Sequence, residues 1–135
     1  MRIAVDGQGN RTLELDEVTL YSSASGAAMA ASTYFDLAEA YTHFERIRFE
    51  FGRTTRPTCT EFETTGGTDG FTLVNNLFSS NNFIVDIVAL SITTATRFTV
   101  DAINRKTFAS SSFSSATPTP PNLFKIVGIN RIANA

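Results

Sequence analysis

The residues that could carry out chemistry are few in this chain of 135 residues. It contains one cysteine, Cys59, and one histidine, His43. A nucleophilic cysteine needs a base beside it, most often a histidine, and no pattern in the sequence brings these two residues together. We therefore expect Cys59 to be a small buried apolar residue, and His43 to lie in a loop or at the end of a helix.

Carboxylates are the next candidates for catalysis or metal binding. Glu61 and Glu63 stand two residues apart in a predicted strand, but a glycosidase needs two carboxyl groups at a set separation across a cleft, and an exposed strand face is the simpler interpretation. Asp69 follows a glycine pair, yet one carboxylate is too few for calcium. The chain lacks the nitrogen and sulfur ligands of a zinc site and the GxxxxGK[ST] and GxSxG motifs. We predict no enzymatic activity, no cofactor and no metal.

The charge of the chain argues against two kinds of partner. With 11 basic and 13 acidic residues the formal net charge is −2, and no segment has the clustered cations that a nucleic-acid backbone requires. No segment reaches the roughly 18 apolar residues of a membrane span, and no signal peptide is recognised. We expect no nucleic-acid binding, no membrane insertion and synthesis in a reducing cytoplasm.

Two groups of charged residues leave alternatives open. Arg46 and Arg48 alternate with apolar residues, which places them on the outer face of a strand. Three kinds of partner are open there: an acidic glycan, a neighbouring subunit, or Glu61 and Glu63 across strands. Asp86 interrupts the most apolar segment of the chain. Because a buried unpaired carboxylate is costly, Asp86 must be paired, lie at an edge, or face a polar subunit interface.

Apolar and polar residues alternate along most of the chain, which predicts strands. In residues 46–51 the alternation directs Ile47, Phe49 and Phe51 into the core. A continuous apolar run from Phe83 to Thr93 predicts a central strand covered on both sides. Further strands are predicted at residues 13–21, 27–33, 58–63, 71–74, 96–102 (with Phe98, Val100 and Ala102 on one face) and 123–132, with turns at 22–26, 64–70 and 75–82.

These elements predict an all-β protein, an antiparallel β-sandwich that is jelly-roll-like. One short helix is expected, capped by Asp36 and extending to Tyr41. The length corresponds to one domain. The turn signal in residues 6–10 predicts a flexible N-terminal arm over residues 1–12, followed by a single sandwich domain over 13–135.

Three stretches resemble a known family. Residues 19–26, TLYSSASG, are similar to its opening motif LWSGSAxxG, with Tyr21 in place of the tryptophan. Residues 36–52 are similar to the element LSxxLxxYxxLxIxxG, and residues 124–132, FKIVGINRI, to the closing motif LxKIxGIK. The family is that of the C-terminal β-sandwich modules of bacteriophage tail fibres and tail-tip receptor-binding proteins.

The resemblance implies a non-enzymatic homotrimer in the virion tail, made in the host cytoplasm, that contacts other tail proteins and attaches to a bacterial glycan or outer-membrane protein. Receptor contacts are then expected from polar segments at residues 53–58, 64–70, 75–82 and 110–122. The candidate receptor-binding residues are Arg53, Arg56, Asn75, Asn76, Asn81 and Asn82. The alternatives are a virion structural protein, such as a capsid decoration, tail assembly protein or tail-needle knob, and a cellular carbohydrate-binding module.

Overall fold

The computed structural model describes residues 2–5, 7–9, 11–14, 16–65, 69–79, 82–109, 112–116 and 119–132. Almost all of these residues lie in strands, and the described part contains one 3₁₀ turn, Tyr41–His43. The strands are β1 (Arg2–Val5), β2 (Arg11–Glu14), β3 (Glu17–Ala28), β4 (Tyr34–Asp36), β5 (Phe44–Arg53), β6 (Arg56–Glu63), β7 (Gly70–Ser79), β8 (Asn82–Thr94), β9 (Arg97–Ala109), β10 (Ser112–Ala116) and β11 (Asn122–Arg131).

The strands form two antiparallel sheets that pack as a sandwich, which confirms the predicted all-β class. One sheet has the order β3-β11-β5-β6. The other has the order β10-β9-β8-β7, and β4 also pairs with β9, which makes five strands. Strands β7 to β10 thus follow one another as a meander. β1 and β2 form a separate hairpin, which overlaps the predicted arm over residues 1–12; that arm stays a prediction.

Phenylalanine fills much of the space between the two sheets. Phe49 of β5 packs against Phe71 and Phe98 of the opposite sheet, with ring centroids 5.3 and 5.9 Å apart. The rings are tilted relative to one another, as aromatic pairs prefer. Ile47, Phe49 and Phe51 are all fully buried, so the alternation predicted for β5 is confirmed.

A glycine in β11 makes room for one of these rings. A Cβ atom on Gly128 would lie 2.5 Å from the ring of Phe44, which is fully buried. The guanidinium carbon of Arg131 lies 4.8 Å from the centroid of that ring, within the range of a cation–π contact. Any side chain at position 128 would displace Phe44, so β11 requires glycine there.

The N-terminal third differs from prediction in two places. The turn predicted at residues 22–26 and the strand at 27–33 are replaced by the single long strand β3 (Glu17–Ala28). The helix predicted to begin at Asp36 is only the turn Tyr41–His43. Residues 34–36 instead pair with β9, and Arg97 Nε donates to Asp36 Oδ1 over 2.7 Å. Pairing with a neighbouring strand outweighs the local capping signal.

Two segments predicted as loops are strands. Residues 75–79 continue β7, and their ladder with β8 runs from Gly70↔Ser91 to Ser79↔Asn82. Residues 112–116 form β10 beside β9. The central position of β8 between β7 and β9 is confirmed, but β8 is not covered on both sides: Val88 is fully buried, whereas Phe83 is 41% exposed.

A β-bulge in β9 changes which residues face inward. Ala89 pairs with Ala102 and Leu90 with Val100, so Asp101 is the extra residue; its Oδ1 accepts a hydrogen bond from Ser91 Oγ over 3.1 Å. An extra residue shifts the alternation by one position. Val100 is buried, whereas Ala102 is exposed, so the prediction that Ala102 shares the face of Val100 is wrong.

Candidate functional site

Asp86 is fully buried on the inner side of β8. Arg105 of β9 binds it with two hydrogen bonds, Nε to Oδ1 at 2.6 Å and Nη2 to Oδ2 at 2.8 Å. Arg53, at the end of β5 in the other sheet, donates from Nη2 to Asp86 Oδ2 over 2.9 Å. Asp86 is therefore paired, which selects one of the three alternatives open from sequence. The hydrogen bond with Asp86 raises the pKa of Arg105.

Arg53 also holds the segment that precedes β11. Its guanidinium donates to the carbonyl oxygens of Thr119 at 3.2 Å and Pro120 at 3.3 Å. One arginine thus links both sheets and a connecting segment. A side chain held by three acceptors is committed to the fold, so Arg53 has a structural role in addition to any contact with a receptor.

The five predicted receptor residues that the structure describes lie in different environments. Asn75 lies opposite Asp86 in β7, is 4% exposed, and its Nδ2 has no hydrogen-bond partner within the described structure. Asn76 points to the opposite side of the same strand and is exposed. Arg56 is exposed at the start of β6, and Asn82 is half-buried at the start of β8. Asn81 lies outside the described residues.

The outer side of the four-stranded sheet carries an array of charges, here called the charged face: Glu17, Arg46, Arg48, Glu50, Glu61, Glu63 and Lys125. Arg48 lies at its centre and donates to both carboxylate oxygens of Glu17 at 3.0 and 3.3 Å and to Glu50 at 3.4 Å. Glu61 lies 3.8 Å from Arg48 and 3.5 Å from Arg46. The ion pairs with Glu61 confirm the predicted cross-strand pairing of Arg46 and Arg48 with that residue, and the pairing with Glu63 stays a prediction.

The pKa shifts on the charged face follow from this pairing. The hydrogen bond from Arg48 lowers the pKa of Glu17, and the same contact raises the pKa of Arg48. Glu61 and Glu63, considered above as a catalytic pair, point outward with cations opposite them: Arg48↔Glu61 and Arg46↔Glu63. This arrangement is that of an exposed strand face.

A groove crosses the charged face over the β5–β6 hairpin. It is an open depression of about 600 Å³ lined by Arg48, Glu50, Pro57, Thr58, Cys59 and Glu61. A second hollow of about 300 Å³ adjoins it, shares Glu50 and Pro57, and has Thr54 and Phe124 as further walls. The two together are called the groove below.

Cys59 lies in this groove and is exposed, so its predicted burial is wrong. Cys59 pairs with Glu50 of β5, so its side chain lies on the outer face of β6. His43, at the end of the 3₁₀ turn, hydrogen bonds through Nδ1 to Glu39 at 2.8 Å, and its helix-end position confirms one of the predicted placements. Glu50 lies six residues along β5 from Phe44, which is roughly 20 Å of strand, so Cys59 and His43 do not form a catalytic pair.

Part of the outer side of the five-stranded sheet is apolar, and we call the following residues the apolar face: Val74, Phe78, Phe83, Val85, Ile87 and Phe108. Phe78 pairs with Phe83, and Phe83 with Phe108, so three phenylalanines form a row across β7, β8 and β9. The rings of Phe83 and Phe108 lie 6.0 Å apart. The three are 65%, 41% and 40% exposed.

A third charged cluster lies beside the 3₁₀ turn. Arg131 donates to both oxygens of Glu39 at 2.7 and 2.9 Å, and His43 contacts the same carboxylate. The hydrogen bond from Arg131, followed by that from His43, lowers the pKa of Glu39 to about 2. This cluster joins the end of β11 to the segment before β5.

The apolar face was not predicted from sequence, and of the groove only the segment 53–58 was expected to contact a ligand. Phe78 and Phe83 flank a polar stretch that was interpreted as a loop. One pattern in the sequence could have predicted them. Val74, Asn76 and Phe78 occupy every second position and continue the alternation of the strand predicted at residues 71–74. The groove depends on the register between β5 and β6 and has no local signal.

Other kinds of site receive no support from the described residues. In this part of the chain no cluster of three or more His, Cys, Asp or Glu side chains could hold a metal ion. The same residues include no helix with the length and apolar character needed to cross a bilayer. No protein-family model matches the sequence, and no curated protein is similar to it. The fold and its two outer faces are therefore the basis for assigning a function.

Proposed function

We propose that this chain is a non-enzymatic β-sandwich module of a bacteriophage tail fibre or tail tip, and that it acts as a homotrimer in attachment to the host surface. The three stretches that resemble this family lie in or lead into β3, β5 and β11. These strands are direct neighbours in the four-stranded sheet. Segments far apart in sequence thus form one continuous piece of structure, which supports a common origin for the resemblance.

The observation that carries the proposal is the apolar face. Among the described residues, six large apolar side chains are exposed, and four of them, Val74, Phe78, Phe83 and Phe108, share this face. Monomeric soluble proteins rarely expose a large contiguous apolar patch, and burying one phenylalanine gains about 1.5–3 kcal/mol. Such a face is suited to contact another protein surface.

The apolar face is suited to bind a second copy of the chain, because it carries few charges. Over residues 72–78, 83–89 and 102–108, Lys106 is the only charged residue at an outward position. Identical copies can meet there with little like-charge repulsion. The charged face lies on the opposite side of the sandwich and stays accessible in such an assembly.

Two measurements on the purified chain test the proposal. Light scattering is expected to give three times the monomer mass, and fluorescently labelled protein is expected to bind intact host bacteria in a saturable way. A monomer at micromolar concentration would overturn the trimer, and absence of binding to bacteria that the phage infects would overturn attachment.

The apolar face also favours a second candidate, a virion structural protein that docks on another virion protein. In that case the isolated chain stays monomeric, ignores bacteria, and binds phage particles that lack it. Incubation with such particles, followed by sedimentation, distinguishes the two functions.

A further inference from the structure

The groove on the charged face has the chemistry of a carbohydrate site. Its polar lining consists of Glu50, Glu61, Thr54 and Thr58, and Glu50 and Glu61 stand at outward positions of β5 and β6. Its apolar wall consists of the Pro57 and Phe124 rings. A sugar has the same division, with hydroxyl groups at the edge of the ring and carbon-bound hydrogens on its faces, so both walls can be used by one ligand.

The charges of the groove select among sugars. Arg48 is the cation that lines it, and its guanidinium is already bound by Glu17 and Glu50, with Glu61 at 3.8 Å. Each carboxylate keeps further lone pairs as acceptors, because an ionised carboxylate has about four acceptor positions. The groove therefore offers acceptors to hydroxyl donors, and its lining residues carry two carboxylates against one arginine, which disfavours an anion.

Phe124 is held at the end of the groove by an irregular backbone. Leu123 pairs with Phe51 and Lys125 with Glu50, so Phe124 is the extra residue of a β-bulge. A Cβ atom on Gly26, which has a φ of +84°, would lie 2.8 Å from the Phe124 ring. The glycine thus lets the ring rest against β3. Bulges recur next to binding sites, where they redirect a side chain.

We infer that this groove binds a neutral oligosaccharide, with the Phe124 ring stacked on a sugar face and Glu50 and Glu61 accepting hydrogen bonds from sugar hydroxyls. The inference rests on the proposed attachment function and names its ligand class and its site. The site lies on the side of the sandwich opposite to the apolar face, so assembly through the apolar face leaves it open.

The single cysteine provides a direct reporter, because Cys59 lies in the groove and is the only thiol. We expect neutral hexose or N-acetylhexosamine oligomers to slow alkylation of Cys59 by a maleimide in a saturable way. Uronic acid oligomers of equal length should bind at least about tenfold more weakly, and a tenfold loss corresponds to about 1.4 kcal/mol. Equal or stronger protection by the uronic acid oligomers, or no protection by any of these oligomers, would overturn the inference.

Variants test the same site without the thiol. Cys59→Trp fills the groove and is expected to weaken oligosaccharide binding at least tenfold. The matched control is Thr19→Trp, at an exposed position of the other edge strand on the same side of the sheet, with binding unchanged. Phe124→Leu keeps apolar volume but removes the flat ring, and should weaken binding by about fivefold. Equal effects of Cys59→Trp and Thr19→Trp would contradict the site.

Binding to cells separates this inference from the proposed function. Cell binding lost in Cys59→Trp, together with oligosaccharide protection of Cys59, supports both. Cell binding retained in Cys59→Trp overturns the groove but leaves attachment intact. Oligosaccharide protection without cell binding supports the groove and overturns attachment.

Discussion

The two sheets of the sandwich distribute charge in opposite ways. In the four-stranded sheet the inward residues of β5 are apolar, and the charges, centred on Arg48, lie outside. In the five-stranded sheet, Asp86 and Arg105 lie on the inner side among apolar residues, and three phenylalanines lie outside. The two sheets therefore share an apolar interior but differ in where their charges lie.

This difference indicates which surfaces are complete in the isolated chain. Each described cation of the charged face except Lys125 forms an ion pair within that face, so the face needs no partner to be stable. The apolar face exposes side chains that water solvates poorly. A partner is therefore expected on the five-stranded side, and ligands that prefer a polar surface on the four-stranded side.

Removal of the inner carboxylate should have the largest effect. Asp86→Ala leaves Arg105 and Arg53 partly buried without their shared anion, and breaking a buried ion pair costs about 3–5 kcal/mol. Urea denaturation should show this loss in the free energy of unfolding. Glu61→Ala, on the charged face, serves as the control and should cost about 1 kcal/mol or less. Equal losses in the two variants would remove the contrast between inner and outer charges.

Substitution on the apolar face should change assembly more than folding. Phe83→Asp places a charge in the centre of the phenylalanine row and should shift trimer dissociation to about hundredfold higher concentration, which corresponds to roughly 5.5 kcal/mol per trimer because the dissociation constant of a trimer scales with the square of the concentration. The circular dichroism spectrum should stay that of a β protein, because Phe83 is already 41% exposed. Thr19→Asp, on the other sheet, should leave the mass unchanged. A trimer that persists in Phe83→Asp would place the subunit contact elsewhere.

On the charged face, Arg48→Ala should lower the melting temperature modestly. Exposed ion pairs contribute about 0–1 kcal/mol, and Arg48 is only partly shielded from water. The effect should shrink in high salt, since salt screens such pairs. Melting curves at low and high salt check this; a loss that does not depend on salt would attribute the effect to packing of the arginine stem.

The carboxylate of Glu39 should stabilise the fold at neutral pH and lose this contribution in acid. Its pKa is lowered from 4.5 to about 2 in the folded chain, so its contribution is present above pH 4.5 and is lost as the pH falls toward 2. Glu39→Gln should lower stability at neutral pH and flatten the decline between these pH values. Denaturation series at several pH values test this, and parallel curves for the two proteins would contradict it.

Period-2 alternation was sufficient to predict the all-β class and the core residues of β5, because burial on one face follows directly from it. The extent of β7 was not predicted, since Asn75 and Asn76 look like turn residues, and only the pairing with β8 places Asp86 opposite Asn75 and Val85 opposite Asn76. Local composition reports the preference of a residue and not its cross-strand partner.

The candidate site was predicted only in part. The segment 53–58 was expected to contact a ligand, and Thr54, Pro57 and Thr58 do line the groove. Phe124, Glu50 and Cys59 come to the same place only through the pairing of β5 with β6 and β11. Contacts of this kind depend on register, which a single sequence does not specify.

The extra residue at Asp101 has a consequence for how such a protein can change over time. It sets the phase of the rest of β9, and with it Arg105 on the inner side and Phe108 on the outer side. Deleting a single codon there would move the arginine into solvent and turn the phenylalanine toward the interior. A single-residue insertion or deletion can therefore create or remove an exposed apolar surface, without any change in the remaining amino acids.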